Sequence, residues 1–194
     1  MTFVVVYDAC VLYLARLRDL LIRIARTGVV RARWTDEILD ECFRSILEDR
    51  PDLDESALKR TRELMIKAVP DGMVTGCADL IEGLTLSDVD DRHVLAAAIR
   101  ASAQTIVTLN LADFPSAVLG SLGIEVQHPD DFVLDAIDLA PGQVARCIRE
   151  QVAALKNPSM SVEGCCRAYP TRVSRRQSRS SGGSCLRLPT AQIT

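Results

Sequence analysis

Short apolar runs alternate along this chain with longer stretches in which apolar residues recur every three or four positions. A short β-branched run is typical of a buried strand, and the longer repeat is typical of a helix with one buried face. The runs predict strands at 3–7, 104–110 and 124–127. The repeats predict helices at 9–26, 36–49, 55–69 and 91–102, a short helix in 113–123, and two more in 128–141 and 141–155. Strands alternating with helices favour an α/β fold, in which helices cover both faces of a mainly parallel sheet.

Capping and helix-breaking residues mark the ends of several predicted helices. Thr35 and Asp54 are suited to cap the helices that follow them, because their side-chain oxygens can accept from the first free N–H groups. Pro51 and Pro70 stop the same two helices. The region 71–91 has three glycines and no sustained period, so it is predicted as loop with at most one short strand.

The charge of the chain is divided unevenly. The formal net charge is −3, but residues 1–157 hold 17 basic against 25 acidic residues, whereas residues 158–194 hold six arginines and one glutamate. The helical pattern stops near Asn157, as it would if the reading frame had shifted. We predict one domain over 1–157 and a basic, disordered tail over 158–194, and a nucleic-acid-binding role for that tail stays open.

Cysteine usage and hydropathy indicate the compartment. The seven cysteines follow neither a metal-binding spacing nor a disulfide framework, which favours a reducing cytoplasm. The first ten residues lack the basic start of a secretory signal, and an aspartate interrupts their apolar run. No stretch approaches the roughly 18–20 apolar residues of a membrane span. We therefore expect a cytoplasmic protein without membrane association.

Acidic and amide side chains follow the predicted strands. Asp8 ends the first strand, Asn110 ends the strand at 104–110, Asp113 comes three residues later, and Asp91 begins the preceding helix. In an open parallel sheet, ligands bind outside the carboxyl ends of the strands. Carboxylates crowded there repel one another unless a cation neutralises them, and oxygen ligands without His or Cys select Mg²⁺ or Mn²⁺. Asp8 is equally suited to cap a helix, so both of its interpretations stay open.

Four motifs between residues 3 and 127 resemble those of the PIN-domain family, which includes the VapC-type toxin ribonucleases. In chain order they are VVVYDACVLY, WTDEILDECF, DDRHVLAAAI and IVTLNLADFP. The resemblance places the site residues of the family at Asp8, Glu41, Asp91, Asn110 and Asp113. Any one motif alone would be weak, and the four in order are a specific signal.

The resemblance implies a three-layer α/β/α domain that hydrolyses RNA phosphodiester bonds with Mg²⁺ or Mn²⁺. Asp8 and Asp91 would be the metal ligands, and Glu41 would hold a water or a second ion. The family further implies a homodimer, a small antitoxin protein as partner, and the role of toxin. Many relatives carry an aspartate where this chain has Asn110, so a second ion would bind more weakly unless Asp113 or Asp90 substitutes.

Other residues near the motifs have simpler interpretations. Asp88 and Asp90 are predicted as cap and first-turn residues that complement the dipole of the following helix, and His93 is predicted to be structural. Thr108 is equally suited to orient a carboxylate and to fill a strand. The remaining predictions are phosphate contacts at Arg31, Arg33 and Arg92, a packing role for Trp34, and a solvated helix face at Asp36, Glu37 and Asp40.

Two other classes stay open. One is a PIN-like binding module without activity, favoured by Asn110 and the unusual tail. The other is a phosphoacceptor receiver domain, which needs paired acids after its first strand and a lysine at a late strand end. Asp8 is single, and the lysines Lys59, Lys67 and Lys156 lie at no predicted strand end, which disfavours the receiver domain.

Overall fold

A four-stranded parallel sheet forms the centre of the protein. The computed structural model describes residues 3–86 and 88–154, so the predicted tail at 158–194 lies outside the described residues. The strands are β1 (Phe3–Tyr7), β2 (Val30–Arg33), β3 (Thr105–Val107) and β4 (Glu125–Gln127). They lie in the order β2-β1-β3-β4, and every neighbouring pair is parallel.

Helices cover both faces of this sheet, which gives the predicted three-layer α/β/α architecture. They are α1 (Ala9–Tyr13), α2 (Ala15–Arg26), α3 (Asp36–Asp49), α4 (Glu55–Ala68), α5 (Ala78–Ile81), α6 (Arg92–Arg100), α7 (Ser116–Leu119), α8 (Pro129–Leu139) and α9 (Pro141–Ala154). All three residues of β3 are buried, whereas the edge strand β2 alternates buried and accessible residues. Burial on both faces is what a covered parallel sheet requires of its central strands.

The predicted caps of α3 and α4 are confirmed. The Thr35 hydroxyl accepts from the Ile38 N–H at 3.1 Å, and the Asp54 carboxylate accepts from the Ser56 N–H at 2.9 Å. Both helices end two residues before the prolines that were predicted to stop them.

Two predictions at the start of the chain are wrong. β2 was missed, because Arg31 and Arg33 obscure a strand that lies at the sheet edge and needs only one buried face. The single helix predicted at 9–26 is broken at Leu14, whose backbone is extended. Arg18 compensates for the break, since its Nη1 donates to the carbonyl oxygen of Leu12 at 2.6 Å, at the end of α1.

Several boundaries after residue 70 differ from prediction. The described part of 71–91 is loop without a strand, as predicted, but it also holds the end of the 3₁₀ turn Pro70–Gly72, the isolated bridge of Met73 to Trp34 and the single turn α5. The strand predicted at 104–110 is the shorter β3. Helix α6 begins at Arg92 rather than at Asp90 or Asp91. The short helix predicted in 113–123 is divided into α7 and a 3₁₀ turn at Gly120–Leu122.

Trp34 anchors the carboxyl end of β2, as its packing interpretation predicted. It is fully buried and stacks on Tyr7 with ring centroids 6.4 Å apart. A Cβ atom at Gly72 would lie 2.8 Å from the Trp34 ring, so only glycine fits there. This contact fixes the end of β2 beside the end of β1, where Asp8 lies.

No helix within 3–86 and 88–154 is both long and apolar enough to cross a membrane. Cys10, Cys42, Cys77 and Cys147, the cysteines of this part of the chain, are unpaired thiols.

Candidate functional site

Asp8 lies at the carboxyl end of β1 and is almost completely buried, at 4% exposure. Its N–H donates to the Val107 carbonyl at 3.1 Å, which joins the ends of β1 and β3. Its Oδ1 accepts from the Ala9 N–H at 2.6 Å, and its Oδ2 accepts from the Thr108 hydroxyl at 2.6 Å. The carboxylate therefore caps α1 and at the same time faces β3, so its two predicted interpretations are compatible.

Cys10 and Thr108 complete a hydrogen-bond network around Asp8. The Cys10 thiol donates to Asp8 Oδ2 at 3.1 Å and lies 3.3 Å from the Thr108 hydroxyl oxygen. The sulfur accepts from the Leu109 N–H at 3.2 Å, and the Thr108 oxygen accepts from the Asn110 N–H at 3.0 Å. Of the two interpretations of Thr108, the structure supports the one in which its hydroxyl orients a carboxylate.

Asp91 lies across from this network, at the residue before α6. It occupies the N-cap position, but its side chain makes no capping hydrogen bond. Burial, the largest cause, and the charges of Asp8, Asp113, Asp88 and Glu41 together raise the pKa of Asp91 from 3.8 to about 7. Five carboxylates from four segments of the chain thus lie close enough for their charges to interact. We call Asp8, Glu41, Asp88, Asp91 and Asp113 the acidic cluster.

Glu41 reaches this cluster from α3 and is paired with a buried histidine. Its Oε2 lies 3.2 Å from His93 Nε2, while His93 Nδ1 lies 3.9 Å from Glu37 Oε2. The charge of Glu41 also raises the pKa of Asp8, an effect that follows burial, the largest cause. His93 is 6% exposed, so the structure favours its predicted structural role over a phosphate contact.

The segment after β3 contributes Asp113 to the cluster. Asp113 ends the 3₁₀ turn Leu111–Asp113, and burial together with the charge of Asp88 raises its pKa. Asn110 precedes this turn and is half-buried.

The predicted capping role of Asp88 and Asp90 is wrong, because both precede the first turn of α6. Asp88 Oδ1 accepts from the Asp90 N–H at 2.9 Å in the turn before the helix. Both side chains are exposed, but only the charge of Asp88 raises the pKa of Asp91 and Asp113, so Asp88 belongs to the acidic cluster and Asp90 does not.

The oxygen-only chemistry of the cluster fits a hard divalent cation. Within residues 3–86 and 88–154, however, no three His, Cys, Asp or Glu side chains are already placed to hold a metal ion. The charges of these carboxylates nevertheless interact, and a bound cation would offset their repulsion.

The three arginines predicted as phosphate contacts are exposed or half-buried. Arg31 is exposed on the edge strand β2, and Arg33 is half-buried. Arg92 is half-buried beside Asp91, with its Nε unpartnered among the described residues.

The predicted solvated face of α3 is confirmed, since Asp36, Glu37 and Asp40 are exposed, and Arg62 of α4 pairs with Asp36 and Asp40.

Sequence reasoning missed three contributions to this site. They are the thiol of Cys10, the charge of Asp88 and the pairing of His93 with Glu41. A signal existed for Cys10. It lies two positions after the strand-terminal Asp8, in the first turn of the following helix, and a residue there remains close to the end of the strand. The pairing of His93 with Glu41 depends on how α3 and α6 pack, so no local sequence pattern predicts it.

Comparison with known proteins gives two family matches. Residues 4–112 match the profile described as PIN domain, and residues 129–168 match the one described as VapC50 C-terminal domain. The second match continues beyond the described residues.

One curated protein is similar over part of its length. It is the "Putative ribonuclease VapC50" of Mycobacterium tuberculosis (strain ATCC 25618 / H37Rv), 41% identical over 95 residues. The alignment covers 47% of this chain and 56% of that protein, so the chain spans about half the length of its curated relative. No solved structure matches.

The PIN-domain match covers more than half of the chain and contains the strand ends and helices that carry Asp8, Glu41, Asp91 and Asn110. The parallel sheet, with acidic side chains gathered at its carboxyl edge, agrees with that match. The chain belongs to the PIN-domain family.

Proposed function

We propose that this protein is a Mg²⁺- or Mn²⁺-dependent endoribonuclease and the toxin of a toxin–antitoxin pair. The observation that carries the proposal is the acidic cluster, in which neighbouring carboxylates and burial raise the pKa of Asp91 to about 7. Assembling these charges costs free energy in the protein alone, and a bound divalent cation offsets that cost. The name of the curated relative supports RNA as the substrate.

Asp8 and Asp91 are the proposed metal ligands. Asp8 Oδ2 already accepts two hydrogen bonds and Oδ1 accepts one. Each carboxylate oxygen has about two acceptor positions, so Oδ1 retains capacity for a ligand. Asp91 makes no capping hydrogen bond, and its carboxylate is therefore available.

The divalent cation would supply Lewis-acid activation of the attacking water and offset the charge that grows on the phosphate. Glu41, which His93 contacts through Nε2, would accept a hydrogen bond from the attacking water and orient it. Asn110 supplies a neutral oxygen on the β3 side of the site, and Asp113 supplies a charged one. Arg92, beside Asp91, is the proposed phosphate contact.

The proposed assembly and partner are those that the PIN-domain family implies. We propose a homodimer in the cytoplasm, inhibited by a small antitoxin protein that covers the acidic cluster. Residues 1–157 hold more acidic than basic residues, which weakens nonspecific attraction to nucleic acid. RNA choice then depends on local contacts, for which Arg31 and Arg33 on the edge strand are candidates.

The test is cleavage of a panel of structured RNAs by the purified protein with Mg²⁺, Mn²⁺ or EDTA. Asp8→Asn and Asp91→Asn are each expected to lower cleavage roughly a thousandfold, since metal stabilisation of the transition state is worth several kcal/mol. Asp138→Asn is the matched control, because Asp138 is an exposed aspartate on α8 outside the cluster. Equal cleavage by wild type and Asp91→Asn would contradict the proposal.

A second candidate is a PIN-fold binding module without catalytic activity. Two observations favour it: Asn110 stands where many relatives carry an acid, and no three of the described metal-binding side chains are already placed around a common point. Folded wild-type protein that binds RNA of the panel but cuts none of it with either ion would support this candidate.

A further inference from the structure

The imidazole ring of His93 lies between two carboxylates on successive turns of α3. Its Nε2 is 3.2 Å from Glu41 Oε2, and its Nδ1 is 3.9 Å from Glu37 Oε2. The His93 side chain is 7% exposed, against 40% for Glu41 and 62% for Glu37. Since His93 follows Asp91 by two residues, this contact links the segment that carries Asp91 to the helix that carries Glu41.

The contact with Glu41 is a directed hydrogen bond. An ionised carboxylate can only accept, so His93 Nε2 carries the proton in this contact. Nδ1 is buried and has no hydrogen-bond partner among the described residues. A half-satisfied imidazole costs free energy among the buried apolar residues of α6, where Val94 and Leu95 follow it. Packing alone would favour an apolar residue at this position.

Glu41 needs such a contact to stay in the site. Its side chain is two-fifths exposed and has several rotatable bonds, so solvent is an available alternative. The negative charges of Asp8 and Asp91 lie near it and repel it. Without a donor on the protein side, the favoured position of the Glu41 carboxylate is in water, away from the cluster.

We propose that His93 is a positioning residue, whose Nε2–H holds the Glu41 carboxylate beside Asp8 and Asp91. This inference rests on the proposed function, in which Glu41 orients the attacking water. His93 itself touches neither metal nor RNA and acts through Glu41.

A double-mutant cycle tests this role through metal affinity. Binding of Mn²⁺ to the full chain is measured by calorimetry for wild type, His93→Leu, Glu41→Ala and the double variant. His93→Leu is expected to weaken Mn²⁺ binding roughly tenfold, the usual scale for residues that orient a ligand. In the Glu41→Ala background, His93→Leu is expected to change Mn²⁺ affinity by less than about twofold, because the carboxylate that His93 positions is absent.

Two further variants separate positioning from structural damage. His93→Gln retains an N–H donor and is expected to stay within about threefold of wild type in Mn²⁺ affinity. Glu37→Gln alters the carboxylate that His93 does not bond and is expected to leave Mn²⁺ affinity unchanged. Thermal unfolding confirms that each variant is folded at the temperature of the titration. An equal effect of His93→Leu with and without Glu41 would overturn the proposal.

Imidazole nitrogen NMR gives a readout that needs no metal. The chain has two histidines, His93 and His128, so a His128→Gln variant assigns both rings. His93 is expected to carry its proton on Nε2, and its Nε2 signal to shift in Glu41→Ala but not in Glu37→Gln. A proton on Nδ1 alone, or no response to Glu41→Ala, would overturn the contact itself.

The two proposals fail in different ways. If wild type binds Mn²⁺ and cuts RNA but the mutant effects are additive, only the positioning role of His93 is wrong. If the NMR contact is present but wild type takes up no Mn²⁺, the nuclease proposal fails, and His93 then has a structural role alone.

Discussion

The two sides of the acidic cluster are built differently. On the strand side, Asp8 is buried and its carboxylate accepts from Ala9, Cys10 and Thr108. On the helix side, Asp91 is half-buried, makes no capping hydrogen bond, and has its pKa raised to about 7 by burial and neighbouring carboxylates. Hydrogen bonds orient the Asp8 carboxylate, whereas burial and neighbouring charges disfavour the ionised form of the Asp91 carboxylate.

This difference shows which side of the cluster lowers the free energy of unfolding. The strand side is joined by hydrogen bonds between residues of β1 and β3, so it contributes to stability as well as to geometry. The helix side lowers stability when Asp91 is charged, because its carboxylate loses water without gaining donors. Substitutions on the two sides should therefore change stability in opposite directions.

The largest effect is expected from the Thr108 hydroxyl on the strand side. Thr108→Val removes a donor to Asp8 Oδ2 and the acceptor of the Asn110 N–H. Leaving buried groups unpaired costs roughly 2 kcal/mol of unfolding free energy. Mn²⁺ affinity should fall about tenfold, because Asp8 loses a contact that orients it. Urea denaturation and metal titration measure the two effects.

Thr105 supplies a matched control in the same region of the chain. Its side chain is also fully buried, but its hydroxyl has no partner among the described residues. Thr105→Val is therefore expected to raise stability by about 1 kcal/mol, since it removes an unpaired polar group at nearly constant shape. If both substitutions lowered stability equally, the strand side would owe its stability to packing rather than to the Asp8 network.

Many of the features compared here could be predicted from the sequence, because they depend on residues that are close together in the chain. Asp8 and Asn110 follow apolar runs, and the carboxyl ends of parallel strands share one edge of the sheet. Helix caps such as Thr35 were predictable because a cap contacts residues of the same turn. The motifs of the family then predicted which acids belong to one site.

The remaining features depend on contacts between distant residues. Thr108 and Asp8 are 100 residues apart, and His93 and Glu41 are 52 apart, so no local pattern pairs them. β2 was missed because two arginines occupy the accessible positions of a short edge strand. Asp88 was predicted to cap a helix that begins only at Arg92, and its distance from Asp113 depends on how the loops fold.

The second prediction concerns the pH dependence of stability on the helix side. The pKa of Asp91 rises from 3.8 to about 7 on folding, so the folded protein binds this proton more tightly than the unfolded chain. The contribution of Asp91 is present below its unfolded pKa and is lost as the pH rises from about 4 to 7. Solvent screening of this half-buried group limits the loss to about 1 kcal/mol. Urea denaturation without metal at several pH values in this window measures it.

Asp91→Asn is the control for that dependence. The amide does not ionise, so the variant should be more stable than wild type at pH 7.5 without metal and should lack this part of the pH slope. Added Mn²⁺ should stabilise wild type and not the variant, because binding to the folded state raises its stability. A variant less stable than wild type at pH 7.5 would show that Asp91 is not under repulsion.

The smallest effect is expected from Cys10, the second donor to Asp8 Oδ2. A thiol is a weak donor, so Cys10→Ala alone should cost only about 0.5 kcal/mol while Thr108 continues to hold the same oxygen. Combined with Thr108→Val it should cost more than the sum of the two, because Oδ2 then loses both donors. Cys10→Ser, which keeps a hydroxyl donor, should restore part of that loss. Strictly additive effects in urea denaturation would show that the two side chains act on Asp8 independently, and the strand side would then be a set of separate contacts rather than one network.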